Sequence, residues 1–263
     1  MKIISIANRK GGVGKTVLSA NIAYELSRLG YLVIMVDLDP QSDLTKIYSA
    51  SVHDASGTTG TIFDLLCKRK SIEDCLMSVY DNLYLIPGSK ELAYLNFSGI
   101  EGVIKEEIKD NPQLDEVDFV IIDHPPALNE STLAGLIASD EVLVVSDAEI
   151  FGMTNLDDLF KDLERIKHEW NKGLHLIGLV INKVDFRRNL TKHLLKEAQK
   201  EFEHFIFSTG INYDTAVPMS THRNIPLRRL DWHSRALTQV VSIVAEMLER
   251  MECKHGDAQI VGK

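Results

Sequence analysis

R-K-G-G-V-G-K-T occupies residues 9–16. Glycines at this density let a backbone close around an anion and present its N–H groups to phosphate oxygens. Lys15 adds an ammonium for the β- and γ-phosphates, and Thr16 a hydroxyl for Mg²⁺. The usual spacing, G-x-x-x-x-G-K-[ST], has glycine where this chain has Arg9, and a second lysine follows at position 10. The expected nucleotide contacts within the loop are Gly11, Gly12, Val13, Gly14, Lys15, Thr16 and Val17. Two further acidic sites follow. V-D-L-D-P-Q-S-D carries Asp37 and Asp39, and I-I-D-H-P-P carries Asp123 after an apolar run, where a Walker B acid holds Mg²⁺. A lone Asp after a strand is more often a cap or a turn residue; three phosphate-type motifs in one chain point to a nucleotide site.

These residues need a scaffold that brings them to one edge. Six short apolar runs read as buried strands: 2–8, 31–36, 82–88, 118–123, 141–146 and 175–182. Helical spacing lies between them, at 17–30 with Gly30 as a stop, at 132–138 and at 153–170. Strands apolar on both faces and alternating with helices predict an α/β fold: a doubly wound, mostly parallel sheet with helices on both faces, of the P-loop NTPase type. In such a sheet the ligand lies at the carboxyl ends of the strands, where the phosphate loop, Asp37, Asp39 and Asp123 all fall. One domain is expected over residues 1–252. Residues 52–60 read as a mobile loop and 253–263 as a flexible tail.

The composition narrows the class. At 263 residues, 44% hydrophobic and 25% charged, the chain is expected to be a globular cytoplasmic protein. MKIISIANRK is too short and too quickly polar for a secretory signal, and no apolar run reaches membrane-span length. Cys67, Cys75 and Cys253 make no C-x-x-C or zinc spacing and are expected to be thiols without ligand function. The net charge of −9 speaks against a uniformly basic nucleic-acid binder. Residues 183–235, however, hold ten Lys/Arg against six acids, which leaves −13 on the rest. That asymmetry suggests an anionic partner for one face.

Together, K-G-G-V-G-K-T, V-D-x-D-P-Q and I-I-D-x-P-P resemble the deviant-Walker ATPases, the ParA and MinD proteins, over residues 2 to about 250. The resemblance implies ATP and Mg²⁺ as cofactors and a homodimer that closes around nucleotide. It implies that Lys10 crosses the dimer interface to the phosphates held by the other subunit. Lys10, Lys15 and Asp39 are then the catalytic set, with Asp39 positioning the attacking water, and Thr16, Asp39 and Asp123 surround the metal. Val17 stands where relatives often carry a second Thr, and His124 where they carry a small residue.

N-K-V-D (182–185) could be read as a guanine signature, because a carboxylate can accept from two guanine nitrogens. The resemblance favours ATP, with Asn182 near the adenine. For the partner face, the expected contacts to duplex DNA are Arg187, Arg188, Lys192, Lys196, Arg223, Arg228, Arg229 and Arg235, reading phosphates rather than bases. Ala216 replaces a second arginine of chromosomal relatives. The competing expectation is a MinD-like membrane-cycling or cargo-positioning ATPase. The last helix, 235–251, is amphipathic with Leu237, Val240, Val241, Val244, Met247, Leu248 and Met251 on one face, but its polar face is mixed to acidic, unlike a membrane-surface helix. The preferred reading is a ParA-type ATPase for plasmid or chromosome segregation. It would be slow alone, stimulated by a ParB-like centromere-binding protein, and nucleoid-associated when ATP-bound.

Overall fold

Strand register explains why distant acids converge. In the computed structural model, which describes residues 1–51, 59–96, 98–126, 129–148, 156–185, 187 and 189–252, seven strands form one sheet. Only the backbone is described for Asn189, Leu190, Lys192 and Leu194. The strands are β1 (Lys2–Ala7), β2 (Val33–Asp37), β3 (Met77–Tyr80), β4 (Leu83–Ile86), β5 (Phe119–Asp123), β6 (Glu141–Asp147) and β7 (His175–Asn182). Their order is β3-β4-β2-β5-β1-β6-β7, and every pairing is parallel except β3–β4. The six runs expected to be strands are all strands. β3 was not expected: MSVY is short and half-buried, without the continuous apolar signal of a strand covered on both faces.

The register sets Asp37 beside Asp123 and Asp147 beside Asn182. Each of these strands is apolar through its body and ends in a polar side chain at the same edge. The phosphate loop, emerging from β1 between β5 and β6, opens onto that edge.

Helices cover both faces. The loop runs directly into α1 (Lys15–Arg28), whose Leu18, Ile22 and Leu26 bury against Ile4, Ile6 and Met35. The helix starts two residues before its apolar periodicity does, because its first turn is part of the phosphate loop. Gly30 lies just past its end at φ 95°, in the left-handed region a helix stop uses. Short helices α2 (Asp43–Tyr48), α3 (Ile62–Leu66) and α4 (Ile72–Cys75) follow β2. On the opposite face α5 (Glu130–Ala138) covers Ile3, Val120 and Ile122. Beside it, α6 (Leu156–Glu169) packs Leu159, Leu163 and Ile166 on Val142, Val144 and Leu179. Then come α7 (Asn189–Glu201), α8 (Ala216–His222), α9 (Leu227–Leu230) and α10 (Arg235–Glu252).

The last helix belongs to the core. Its buried residues are Ala236, Leu237, Val240, Ile243, Val244 and Met247, in the cluster that holds α1. Val241, expected on that face, is 39% exposed, and Ile243 takes its place inside. Among the described residues no helix is long and apolar enough to cross a membrane. Of the expected loop over 52–60, residues 52–58 lie outside the described residues, as does the expected tail over 253–263.

Candidate nucleotide site

The phosphate loop is held open from behind. Asn182 Nδ2 donates to Val13 O at 2.7 Å, and Lys183 Nζ to Gly12 O at 2.6 Å. Asn8 Nδ2 donates to Val145 O at 2.5 Å while its Oδ1 accepts from Lys10 N at 2.8 Å. With these loop carbonyls tied outward, the loop's N–H groups are free to face a ligand. Gly14 sits at φ 97°, and a β-carbon there would overlap the Asn182 amide. Gly14 is also the N-cap of α1 and provides no side-chain cap, so the first N–H groups of the helix remain for an anion.

The two lysines of the loop go to different places. Lys15 is buried, and its Nζ reaches back across the loop to Lys10 O at 3.2 Å. Burial pulls its pKa down, while the Asp123 and Asp39 carboxylates pull it up. Lys10 turns away from the cleft and pairs with Asp147 Oδ2 at 2.6 Å, at the end of β6. Arg9, where a glycine is usual, reaches Asp162 of α6 at 3.3 Å.

Asp123 is fully buried. Its Oδ1 accepts from Ser19 Oγ at 2.9 Å, and its Oδ2 has no hydrogen-bond partner. Burial and then the adjacent Asp37 charge push its pKa up to about 7, against the Thr16 and Ser19 hydroxyls and Lys15. A buried carboxylate oxygen with no donor, beside the Thr16 hydroxyl at the foot of a phosphate loop, fits a hydrated divalent cation. Asp37 serves otherwise. It accepts from Thr45 N, Thr45 Oγ1 and Asp39 N, which shapes the turn after β2, and burial raises it to about 6. Asp39 lines the cleft, its Oδ1 held by Gln41 N at 2.8 Å.

The cleft, of about 610 Å³, runs from Lys15, Thr16, Asp39, His124 and Pro126 to a far wall of Asn182, Asn212, Tyr213, Val217 and Pro218. It is long enough for a nucleotide, with charged groups at one end and mixed apolar and amide groups at the other. Asn182 therefore both braces the loop and borders the cleft. Asp185 does not line it; its carboxylate holds Arg187 Nε at 2.9 Å. His124 lines the cleft floor as a buried imidazole, pushed down to about 3 by burial and by Lys15.

Several participants were not read from the sequence. Asn8, Lys183, Ser19 and the 212–218 wall act through contacts between residues far apart in the chain, which no local pattern encodes. Asp147 had a signal, an acid closing a strand like Asp37 and Asp123, but the expected strand stopped one residue short of it.

The expected cationic face is only partly available. Lys196 and Arg223 are exposed, and Arg229 is exposed with its guanidinium 5.8 Å from the Tyr80 ring centre. Arg187 is exposed but paired with Asp185. Asn212 Oδ1, with its amide turned to suit its neighbours, accepts from Arg235 Nε at 2.9 Å. Arg228 is part-exposed and forks onto buried Glu25 of α1 at 2.7 and 2.6 Å, a tie between α9 and α1. Arg188 and the Lys192 side chain lie outside the described residues.

A protein-family model described as an AAA domain matches residues 1–176. The chromosome-partitioning ATPase Soj of Thermus thermophilus is 31% identical over 210 residues, which span 79% of this chain and 80% of that protein. The sporulation initiation inhibitor protein Soj of Bacillus subtilis is 28% identical, over 94% of this chain and 98% of that one. Among solved structures, the ATP complex of Cyanothece McdA superposes with a TM-score of 0.79 at 25% identity, covering 95% and 96% of the two chains. The cell division ATPase MinD of Pyrococcus furiosus gives 0.75 at 24% identity, covering 94% and 98%, and shares the fold. With the phosphate loop, the two strand-end acids and the seven-stranded sheet in place, the chain belongs to the ParA/MinD family of P-loop ATPases.

Proposed function

We propose that this chain is a ParA-type partition ATPase, one domain over residues 1–252, that dimerises around ATP and binds duplex DNA without sequence preference. The observation that carries this reading is the separation of the two lysines of one loop. Lys15 lies buried at the cleft, while the Lys10 ammonium, a quarter exposed, sits outside it against Asp147. A cation that does not serve its own cleft is placed to serve another. Two nucleotides held face to face would carry dense negative charge, and Lys10 given in trans would tie dimerisation to the γ-phosphate.

ATP and Mg²⁺ are the cofactors. The loop N–H groups and Lys15 would hold the phosphates, and Thr16 and Asp123 the metal, which would supply charge neutralisation for the phosphates. Asp39, fixed by Gln41, would orient the attacking water. Asn182 and the 212–218 wall would border the base.

Arg187, Lys196, Arg223, Arg229 and Arg235, with Arg188 and Lys192, are the proposed phosphate contacts to DNA, and Arg228 is left out. A centromere-binding partner of the ParB type would speed a slow hydrolysis and release the dimer from a nucleoid in the cytoplasm. Against the membrane alternative, the apolar face of α10 is buried in the cluster that holds α1, so that helix does not offer it to a membrane surface.

Binding to random-sequence duplex DNA, measured with ATP, GTP, ADP and no nucleotide at rising salt, tests the proposal. Binding with ATP alone that weakens steeply with salt is the expected result. Binding with GTP would overturn the base assignment, and absence of binding under every condition would overturn the DNA reading.

A further inference from the structure

N-K-V-D closes β7 and begins the turn beyond it. Along a strand, successive side chains point to opposite faces, so Asn182 and Lys183 should not reach one target. Both reach the phosphate loop: Asn182 Nδ2 donates to Val13 O, and Lys183 Nζ to Gly12 O. The backbone gives the reason. Lys183 sits at φ 55°, in the left-handed region, which breaks the alternation and brings its side chain back to the loop. Its N–H donates to Asn182 Oδ1 at 2.8 Å, which holds that amide with its nitrogen towards Val13. Val184 N donates to Ile211 O at 2.9 Å, and Val184 O accepts from Tyr213 N at 3.1 Å. Three consecutive residues therefore carry the phosphate loop on one side and the far wall of the cleft on the other.

A carbonyl held in place also aims the next N–H. In a trans peptide plane the C=O of one residue and the N–H of the next point in opposite directions. Holding Gly12 O turns Val13 N–H away from Lys183, and holding Val13 O turns Gly14 N–H away from Asn182. A β-carbon on Gly12 would meet no atom within 4 Å, so no packing on that side fixes its peptide. Lys183 is exposed and lines the cleft with Gly12, Gly14 and Lys15.

We propose that Lys183 is a positioning residue for the nucleotide: by holding Gly12 O it aims Val13 N–H at the β-phosphate, which ADP and ATP share. The ammonium acts through the loop and not by touching the nucleotide. The inference rests on the nucleotide-site reading above. It also gives N-K-V-D a use other than guanine recognition, since two of its side chains serve the loop and the Asp185 carboxylate holds Arg187.

Calorimetric titration with ADP and with a non-hydrolysable ATP analogue, each with Mg²⁺, tests this. Lys183→Met keeps the stem and removes the donor. It should bind both nucleotides about tenfold more weakly, by the same factor, the value of one aimed donor. Lys183→Arg can still donate to Gly12 O and should recover most of the affinity. Lys183→Gly lacks the donor but suits the left-handed backbone, so it should bind as weakly as K183M while melting at a higher temperature. A loss confined to the ATP analogue would place Lys183 at the γ-phosphate, and an affinity loss that follows melting temperature across the variants would make it a stability residue; either result would overturn the proposal.

An independent readout is the Gly12 carbonyl ¹³C signal, detected through the Val13 amide in nucleotide-free protein. It should move upfield in K183M and return in K183R, and an unmoved signal would overturn the proposal. The titrations keep the two readings apart. If the wild type binds neither nucleotide, the nucleotide reading fails. If it binds both and K183M binds them equally well, the Lys183 proposal fails alone.

Discussion

Asp123→Asn should make the nucleotide-free protein more stable at pH 7.5 and at the same time remove its response to Mg²⁺. The Asp123 carboxyl has no solvent exposure, one oxygen without a donor, and Asp37 beside it in the register. These push it from 3.8 to about 7. The sign follows from proton counting. A carboxyl whose pKa is raised by folding binds its proton more tightly in the native state, so stability is greatest below about pH 4 and falls as pH rises towards 7. The distance from 3.8 to about 7 corresponds to roughly 4 kcal/mol. Asparagine can still accept from Ser19 but must bury an amide, so about half of this, ~2 kcal/mol, is expected back at pH 7.5. For a chain of this size that is a rise in Tm of about 4–8 °C. At pH 4 the two proteins should melt together. Asp37, raised to about 6, leaves a smaller decline between pH 4 and 6 in both. Differential scanning calorimetry in chelator, across pH 4–8, measures the difference. With an ATP analogue present throughout, adding Mg²⁺ should then raise the Tm of the wild type and not that of D123N. A D123N protein less stable than wild type at pH 7.5, or a gap that does not change with pH, would refute the account of Asp123 as a strained metal-binding carboxylate.

Lys10→Ala should bind Mg²⁺ and ATP yet remain a monomer by sedimentation velocity, with partner-stimulated hydrolysis lower by about 100-fold or more. It also strands Asp147, whose side chain is 8% exposed, so adding Asp147→Asn should recover thermal stability without recovering dimerisation. Arg228→Ala leaves Glu25 buried without its fork and should cost about 2 kcal/mol in chemical denaturation, a discount for the part-exposed arginine. Arg223→Ala and Lys196→Ala should each lower the slope of log affinity for DNA against log salt by about 1, equally for all sequences.

The phosphate loop was legible because its chemistry is local. Gly12 and Gly14 must take left-handed backbone, Lys15 and Thr16 must follow at once, and a helix must begin there. The parallel sheet was legible for the same kind of reason, since strands covered on both faces write unbroken apolar runs. Asp37 shows where local reading stops. It and Asp39 look alike in V-D-L-D, yet one closes a turn around Thr45 and the other faces the cleft, and only the path of α2 decides which. Arg228 and Arg229 are likewise neighbours with one chemistry. Glu25 of α1 captures the first, 203 residues away in the chain, while the second stays exposed. The sequence by itself determined the loop, the strands and the class of ligand, since each depends on residues within a few positions. The tertiary structure alone decided which charges are spent inside the molecule, because burial and pairing depend on partners that only the packed sheet and helices bring within reach.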